Sequence, residues 1–213
     1  MSRAVILCDG AYPTEAYPLY LLSSAPRLVC CDGAFAKYLE HNPSGRLPDA
    51  VVGDMDSLPQ ELREKYASLV FPVAEQDYND LTKAMRFVLE HFPDCDQIDI
   101  LGATGEREDH TVGNLGLLME YTRMFPQELR IQMVSDYGTA FAVSDSCELH
   151  LGEGRRVSLF SADNSLRLHS EGLEWPTDEV VFDAWWKASL NRSTQPVVRL
   201  TLSHPAPVLV MID

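Results

Sequence analysis

"DLTKAMRFVLEHFPDCDQIDILGA", residues 80–103, changes its period part-way along, and that change decides the fold class. In the first half Leu81, Ala84, Met85, Val88 and Leu89 recur at the i, i+3, i+4, i+7, i+8 spacing of one helical face, with Asn79 or Asp80 placed to cap it. The run "QIDILGA" (97–103) then has strand length and β-branched content, and it leads into a glycine turn. The same alternation extends both ways. "AVILC" (4–8), "RLVCC" (27–31), "DAVVG" (49–53), "SLVFPV" (68–73) and "RIQMVS" (130–135) read as strands. "GAFAKYLEH" (33–41), "PQELREKYA" (59–67) and "EDHTVGNLGLLMEYTRMF" (108–125) read as helices, the last softened by Gly113 and Gly116. The expectation is an α/β fold: an N-terminal open, mostly parallel sheet flanked by helices.

Beyond about residue 140 helical period disappears. "CELHL" (147–151), "RRVSLFSA" (155–162), "SLRLHSEGL" (165–173), "PVVRLTLS" (196–203) and "PVLVMI" (207–212) are strand-length runs with turn residues between them. They predict a smaller C-terminal antiparallel β-sandwich domain. The expected division is 1–140 and 141–213, joined near "SDYGTAFAVSDS" (135–146).

Composition narrows the function. With 46% hydrophobic residues among 213 the chain has ample material for a core. A formal charge of -15, from 32 acidic against 17 basic residues, opposes the phosphate-backbone attraction of nucleic-acid binding and argues against anionic membranes. Cys8, Cys30, Cys31, Cys95 and Cys147 are odd in number, form no C-x-x-C pair and mostly stand in apolar runs, as buried thiols of a reducing compartment do. "MSRAVILCDG" is too short an apolar run for a signal peptide, and no segment approaches the ~18 apolar residues of a membrane span. A cytoplasmic, soluble protein is expected.

The acids are placed with more regularity than solvated side chains need. Asp9, Asp32, Asp54 and Asp56 each come at or just after a predicted strand end, Asp77 and Asp80 follow the fourth strand, and Asp109 follows the fifth. Open parallel sheets bind ligands outside these ends, so a shared acidic site is expected. Oxygen-only donors suit Mg²⁺, whereas the six histidines lack zinc-ligand spacing and Walker A is absent. In "VVGDMDSL" (51–58) two carboxylates two residues apart repel each other, which calls for a positive partner. Taken alone, "GDMDS" also reads as an Asx-type turn capping a helix near Pro59. In "LGATGEREDHTVGN" (101–114), Gly102 and Gly105 allow tight turns and close backbone approach to phosphate, Arg107 can fork onto phosphoryl oxygens, and Asp109 opens a helix.

Four blocks in order, "CDGA" (31–34), "GDMDSL" (53–58), "EQDYNDLTKA" (75–84) and "GATGEREDHTVGN" (102–114), resemble the thiamine pyrophosphokinases, also called thiamine diphosphokinases. "GLEWP" (172–176), "SLN" (189–191) and "SHPAPVLVMI" (203–212) look like that family's smaller β domain, so the resemblance spans nearly the whole chain. It implies transfer of the pyrophosphoryl group of ATP to thiamine, giving thiamine diphosphate and AMP, with Mg²⁺ and in a homodimer whose interface carries the thiamine site. By the same resemblance Asp32, Asp54, Asp56, Asp80 and Asp109 are the catalytic acids, with Asp54, Asp56 and Asp80 on the metal. Gln76, Asp77, Gly102, Gly105 and Arg107 meet ATP, and Ser189 and Asn191 meet thiamine. Asn79 stands where the family usually has Thr, and "SLN", preceded by the extra "DAWWK", replaces "TSN" or "VSN". The rival readings are a Mg²⁺-dependent phosphohydrolase, in which the same acids activate water, and a non-catalytic nucleotide- or thiamine-binding protein. Lys83 reads equally as a phosphate ligand or a solvated lysine. Trp175, Trp185 and Trp186 can stack on a cationic ring, though core or interface packing is the expected role of at least two of them.

Overall fold

The computed structural model of the chain describes residues 2–42 and 44–213. It divides into two compact units. One runs to Asn114 and resumes over Glu128–Asp136; the other comprises Leu115–Gln127 and Tyr137–Asp213.

The first unit contains β1 (Ser2–Leu7), α1 (Ala16–Ser23), β2 (Arg27–Cys31), α2 (Ala34–His41), β3 (Ala50–Gly53), α3 (Gln60–Lys65), β4 (Val70–Pro72), α4 (Asp80–His91), β5 (Cys95–Leu101), the start of α5 (Glu108–Met124) and β6 (Arg130–Ser135). Its strands lie in the order β6-β5-β1-β2-β3-β4, and each neighbouring pair is parallel. Ala4–Leu7, Leu28–Cys30 and Ala50–Val52 are wholly buried, as strands covered on both faces must be. From β1 the chain works outward to β4, then returns to lay β5 on the other side of β1. That reversal makes the β1/β5 boundary the topological switch point, where such sheets open a ligand crevice. The connections leaving β1 and β5 are tied there, Gly10 N–H donating to Gly102 O (2.7 Å) and Ala11 N–H to Thr104 O (2.9 Å).

Two details differ from the sequence expectation. A 3-10 turn, Ala67–Leu69, takes the start of the strand expected at 68–73. Helix α1 has no counterpart in the periodicity, because Tyr17, Leu19 and Tyr20 are exposed and leave no single apolar stripe. Its Pro18 is tolerated because first-turn N–H groups have no intrahelical acceptor.

The second unit is antiparallel. Its strands β7 (Gly138–Val143), β8 (Cys147–His150), β9 (Arg156–Phe160), β10 (Leu168–Glu171), β11 (Ala188–Arg192), β12 (Val197–Leu202) and β13 (Val208–Ile212) form two sets, β11-β9-β13-β7 and β10-β12-β8. Along β12, Val198, Leu200 and Leu202 are buried while Arg199 and Thr201 are exposed, the period of two that a one-sided strand requires. These residues share a core with Leu149, Leu159, Leu168, Phe182 and Val210, which is the expected sandwich. The stretch expected to join the domains contains β7, whose residues 139–143 pair with β13. Cys8, Cys30, Cys31 and Cys95 are buried free thiols. Among the described residues no helix is long and apolar enough to cross a membrane.

Candidate active site

Three parallel strands, β2, β3 and β4, end side by side, and an acid follows each. Adjacent strands are about 4.8 Å apart, so residues just past their C-termini share one edge of the sheet. Asp32 follows β2, Asp54 follows β3, and Asp80 opens α4 after β4. One carboxylate oxygen from each lies within 4.8 Å of the other two. Gly53 makes the approach possible: a Cβ there would stand 3.0 Å from Asp32 Cβ and 3.2 Å from Asp80 Cγ.

Each acid is held differently. Asp32 is buried, and its oxygens accept from Gly33 N–H (2.7 Å) and Ser57 N–H (3.2 Å). Burial raises its pKa, the two N–H groups oppose that, and the charges of Asp80 and Asp54 add to the rise. Asp54 accepts from Asp56 N–H (3.1 Å), which forms the Asx turn, and from Gln76 Nε2 (3.3 Å); with Lys83 these donors hold its carboxyl below the ordinary range. Asp56 itself is exposed and lies outside the trio, because Met55 adopts a φ of 71° and turns the chain between the two acids.

The positive partner that the acids require is Lys83. Its side chain is only 2% exposed, and Nζ lies 3.0 Å from Asp80 Oδ1 and 3.7 Å from Asp54 Oδ2. Burial alone would lower its pKa, but Asp80, Asp54 and Glu75 outweigh that and hold the ammonium above its ordinary value. A solvated surface lysine is therefore not what the fold contains. Its i, i+3 relation to Asp80 is visible in sequence, whereas its burial is not.

The loop before α4 is fixed by its own side chains. Glu75 accepts from the N–H groups of Asp77 and Tyr78, Asp77 is exposed, and the Tyr78 ring lies under the Arg86 guanidinium, 4.4 Å from its centroid. Asn79 caps α4 by accepting from Thr82 N–H (3.1 Å) and donates through Nδ2 to Asn114 Oδ1 (2.8 Å). Asn114 in turn donates to Ala103 O (2.7 Å), so the departure from Thr links α4 to the glycine turn. Asn79→Ala should lower unfolding stability by about 1–2 kcal/mol, seen as a lower urea midpoint. An unchanged midpoint would contradict this linkage.

In the turn after β5, Gly102 and Gly105 take φ values of 64° and 80°, as a tight reversal requires. Arg107 forks onto Asp109, Nε to Oδ1 at 3.1 Å and Nη2 to Oδ2 at 2.6 Å. The guanidinium, together with the His110 N–H that donates to Asp109 Oδ1, depresses the Asp109 carboxyl to about 2. Both side chains are exposed, so the fork is presented to solvent.

In the second unit, Asn191 is buried and both ends of its amide are engaged: Oδ1 accepts from Trp175 N–H (3.1 Å) and Arg192 N–H (2.8 Å), while Nδ2 donates to Trp175 O (2.6 Å). It holds the "GLEWP" loop. Ser189 is half-buried, and Leu190 between them sits at φ 60° in a bulge of β11, 84% exposed. Trp175, Trp185 and Trp186 are each about half exposed, so none is a core residue of the chain.

Residues 19–133 match the family model described as "Thiamin pyrophosphokinase, catalytic domain", and residues 138–209 match "Thiamin pyrophosphokinase, substrate-binding domain". The chain belongs to the thiamin pyrophosphokinase family. It is 31% identical over 201 residues to thiamine pyrophosphokinase 1 of Oryza sativa subsp. japonica, covering 82% of this chain and 74% of the relative. Against thiamine pyrophosphokinase 1 of Arabidopsis thaliana the identity is 34% over 167 residues, covering 63% and 61%. The solved thiamin pyrophosphokinase from Candida albicans superposes with a TM-score of 0.78 at 17% identity, covering 99% of this chain and 89% of that one, which is a likeness of fold. Within the family frame, the acid trio, Lys83 and the Arg107–Asp109 fork fall in the catalytic-domain match, and Ser189 and Asn191 in the substrate-binding match.

Proposed function

We propose that this chain is a Mg²⁺-dependent thiamine pyrophosphokinase, taking ATP and thiamine to AMP and thiamine diphosphate. The observation that carries the reading is the convergence of Asp32, Asp54 and Asp80 at the C-terminal edge of the sheet, with buried Lys83 paired to two of them, Asp80 and Asp54. The donors are hard carboxylate oxygens within 4.8 Å of one another, a set that suits Mg²⁺. Of the ligands expected from the family resemblance, Asp54 and Asp80 belong to the trio, whose third member is Asp32, and Asp56 lies outside it. When bound, Mg²⁺ supplies neutralising charge to the triphosphate.

The remaining work falls to side chains of this chain. Lys83 balances the acids and presents positive charge toward the polyphosphate, and Arg107, oriented by Asp109, offers its remaining N–H donors to phosphoryl oxygens. The thiamine hydroxyl oxygen forms a bond to the β-phosphorus of ATP while the bond from that phosphorus to the α,β-bridging oxygen breaks. AMP leaves, and the hydroxyl proton passes to a carboxylate, Asp32 or Asp109. Gln76 and Asp77 line the nucleotide side, with Gly102 and Gly105 giving phosphate access to backbone N–H groups.

Asn191 acts for thiamine by holding Trp175, whose exposed ring suits a cationic heterocycle, with Ser189 nearby on the same strand. The residue 1–140 part serves nucleotide and metal, and the 141–213 part serves thiamine, in a homodimer of the cytoplasm. Incubation with ATP and Mg²⁺, with and without thiamine, tests the reaction. AMP and thiamine diphosphate should appear in equal amounts only when thiamine is present, and chelation should stop both until Mg²⁺ is restored. Phosphate release independent of thiamine would instead favour the hydrolase.

A further inference from the structure

Lys37, on α2, has no part in the reading above, yet it joins the connections on either side of the switch point. Its Nζ lies 3.0 Å from Asp9 Oδ1, 2.9 Å from Asp9 O, 3.1 Å from Gly10 O, and 2.8 and 3.0 Å from the two carboxylate oxygens of Glu106. Asp9 and Gly10 belong to the connection leaving β1, and Glu106 to the one leaving β5.

Glu106 is a costly choice for its place. It holds a φ of 63°, in the left-handed region, between Gly105 and Arg107. Its carboxylate points back to Lys37 in the same turn that presents Arg107 to phosphate. On the other side, the Asp9 carboxylate lies hard against Gly33, where a Cβ would stand 2.3 Å from Oδ2, and the Gly33 N–H orients Asp32. One ammonium therefore connects the Arg107 turn to the backbone that sets the acid trio. Without it, Asp9 and Glu106 would be two uncompensated charges at the rim of a site meant for a polyanion.

We propose that Lys37 is a positioning residue for nucleotide: it bridges Asp9 and Glu106, offsetting part of their charge, and fixes the turn 102–107. The inference rests on reading the site as an ATP site, but its test does not need thiamine turnover. The affinity for a non-hydrolysable ATP analogue with Mg²⁺ is measured by calorimetry on the full chain. Lys37→Met should weaken it about tenfold, since misplacing a binding group commonly costs one or two decades. Lys37→Arg, which keeps the charge, should recover most of the loss. Lys37→Met combined with Glu106→Gln should recover part of it, because the second change removes a charge that Lys37 had partly offset. A merely structural contact would not gain from losing both partners. Unchanged affinity in Lys37→Met, or equal weakening in the single and double variants, overturns the proposal. Failure of thiamine turnover in a wild-type chain that still binds the analogue would count against the proposed reaction and leave this comparison readable.

Discussion

Asp54→Asn is expected to lower thiamine-dependent AMP formation by about a thousandfold while the protein keeps its fold, a loss typical of removing charge that acts on the transferred phosphoryl group. The substitution keeps an oxygen in place to accept the Asp56 N–H, so the Asx turn survives. It removes the negative charge that completes the trio and partners Lys83 at 3.7 Å. The stability consequence has a definite sign. The Asp54 carboxyl is held below its ordinary range, first by the Asp56 N–H and then by Gln76 and Lys83. Its contribution is therefore present above the unfolded value of about 3.9 and fades as pH falls through the depressed folded value. Wild type and variant should differ by no more than about 1 kcal/mol near pH 7 and converge in acid, as for a partly exposed pair. Full turnover in the variant, or an activity loss that only tracks unfolding, would remove Asp54 from the site.

Lys83→Met should damage both activity and stability. The ammonium is almost fully enclosed between Asp80 and Asp54, and methionine keeps much of the apolar stem while deleting the charge. What remains is a set of neighbouring carboxylates with no cation among them, so the expected cost is about 1–3 kcal/mol, discounted from a fully buried pair because the acids are partly solvated. Activity should fall about a hundredfold from the loss of positive charge facing the polyphosphate. Here the folded pKa is raised, through Asp80, Asp54 and Glu75 acting against burial. The stabilisation is complete below the unfolded lysine value of about 10.4 and is lost only as pH rises through the higher folded value. The stability gap should thus be level from neutral to mildly alkaline pH and close above it. Adding Asp80→Asn to Lys83→Met should cost less than the sum of the two single changes, since the partners are in contact. Additive losses would show that the pair does not act as a unit.

Much of the fold is legible because buried parallel strands are nearly continuous apolar runs, as in "AVILC" and "RLVCC", and because α4 has a clean helical stripe. Elements with mixed faces escape such reading. Helix α1 exposes Tyr17 and Tyr20, β7 sits in a stretch flanked by turn residues, and β11 is interrupted by the bulge at Leu190. A shared acidic site is legible for a topological reason, since residues just past adjacent parallel strands share one edge of the sheet. Asp54 and Asp56 look equivalent in "GDMDS", but the left-handed Met55 separates them, and no pattern of residue types announces that turn. Lys37 and Glu106 are 69 residues apart, beyond the reach of periodicity, and only the sheet order brings them together. Asn191 is read from the resemblance as a thiamine contact, and its engagement with the Trp175 backbone is a tertiary fact that residue types do not announce.

The acid trio as the metal centre of an ATP-dependent transferase is tested most directly by titrating Mn²⁺, as a spectroscopic substitute for Mg²⁺, and counting free ion by electron paramagnetic resonance. Wild type should bind the ion. Asp32→Asn, Asp54→Asn and Asp80→Asn should each weaken binding more than about tenfold, as loss of a charged ligand does, while Asp183→Asn, in the second unit beside Lys187, should bind as wild type does. Equal binding in all five proteins would contradict the assignment.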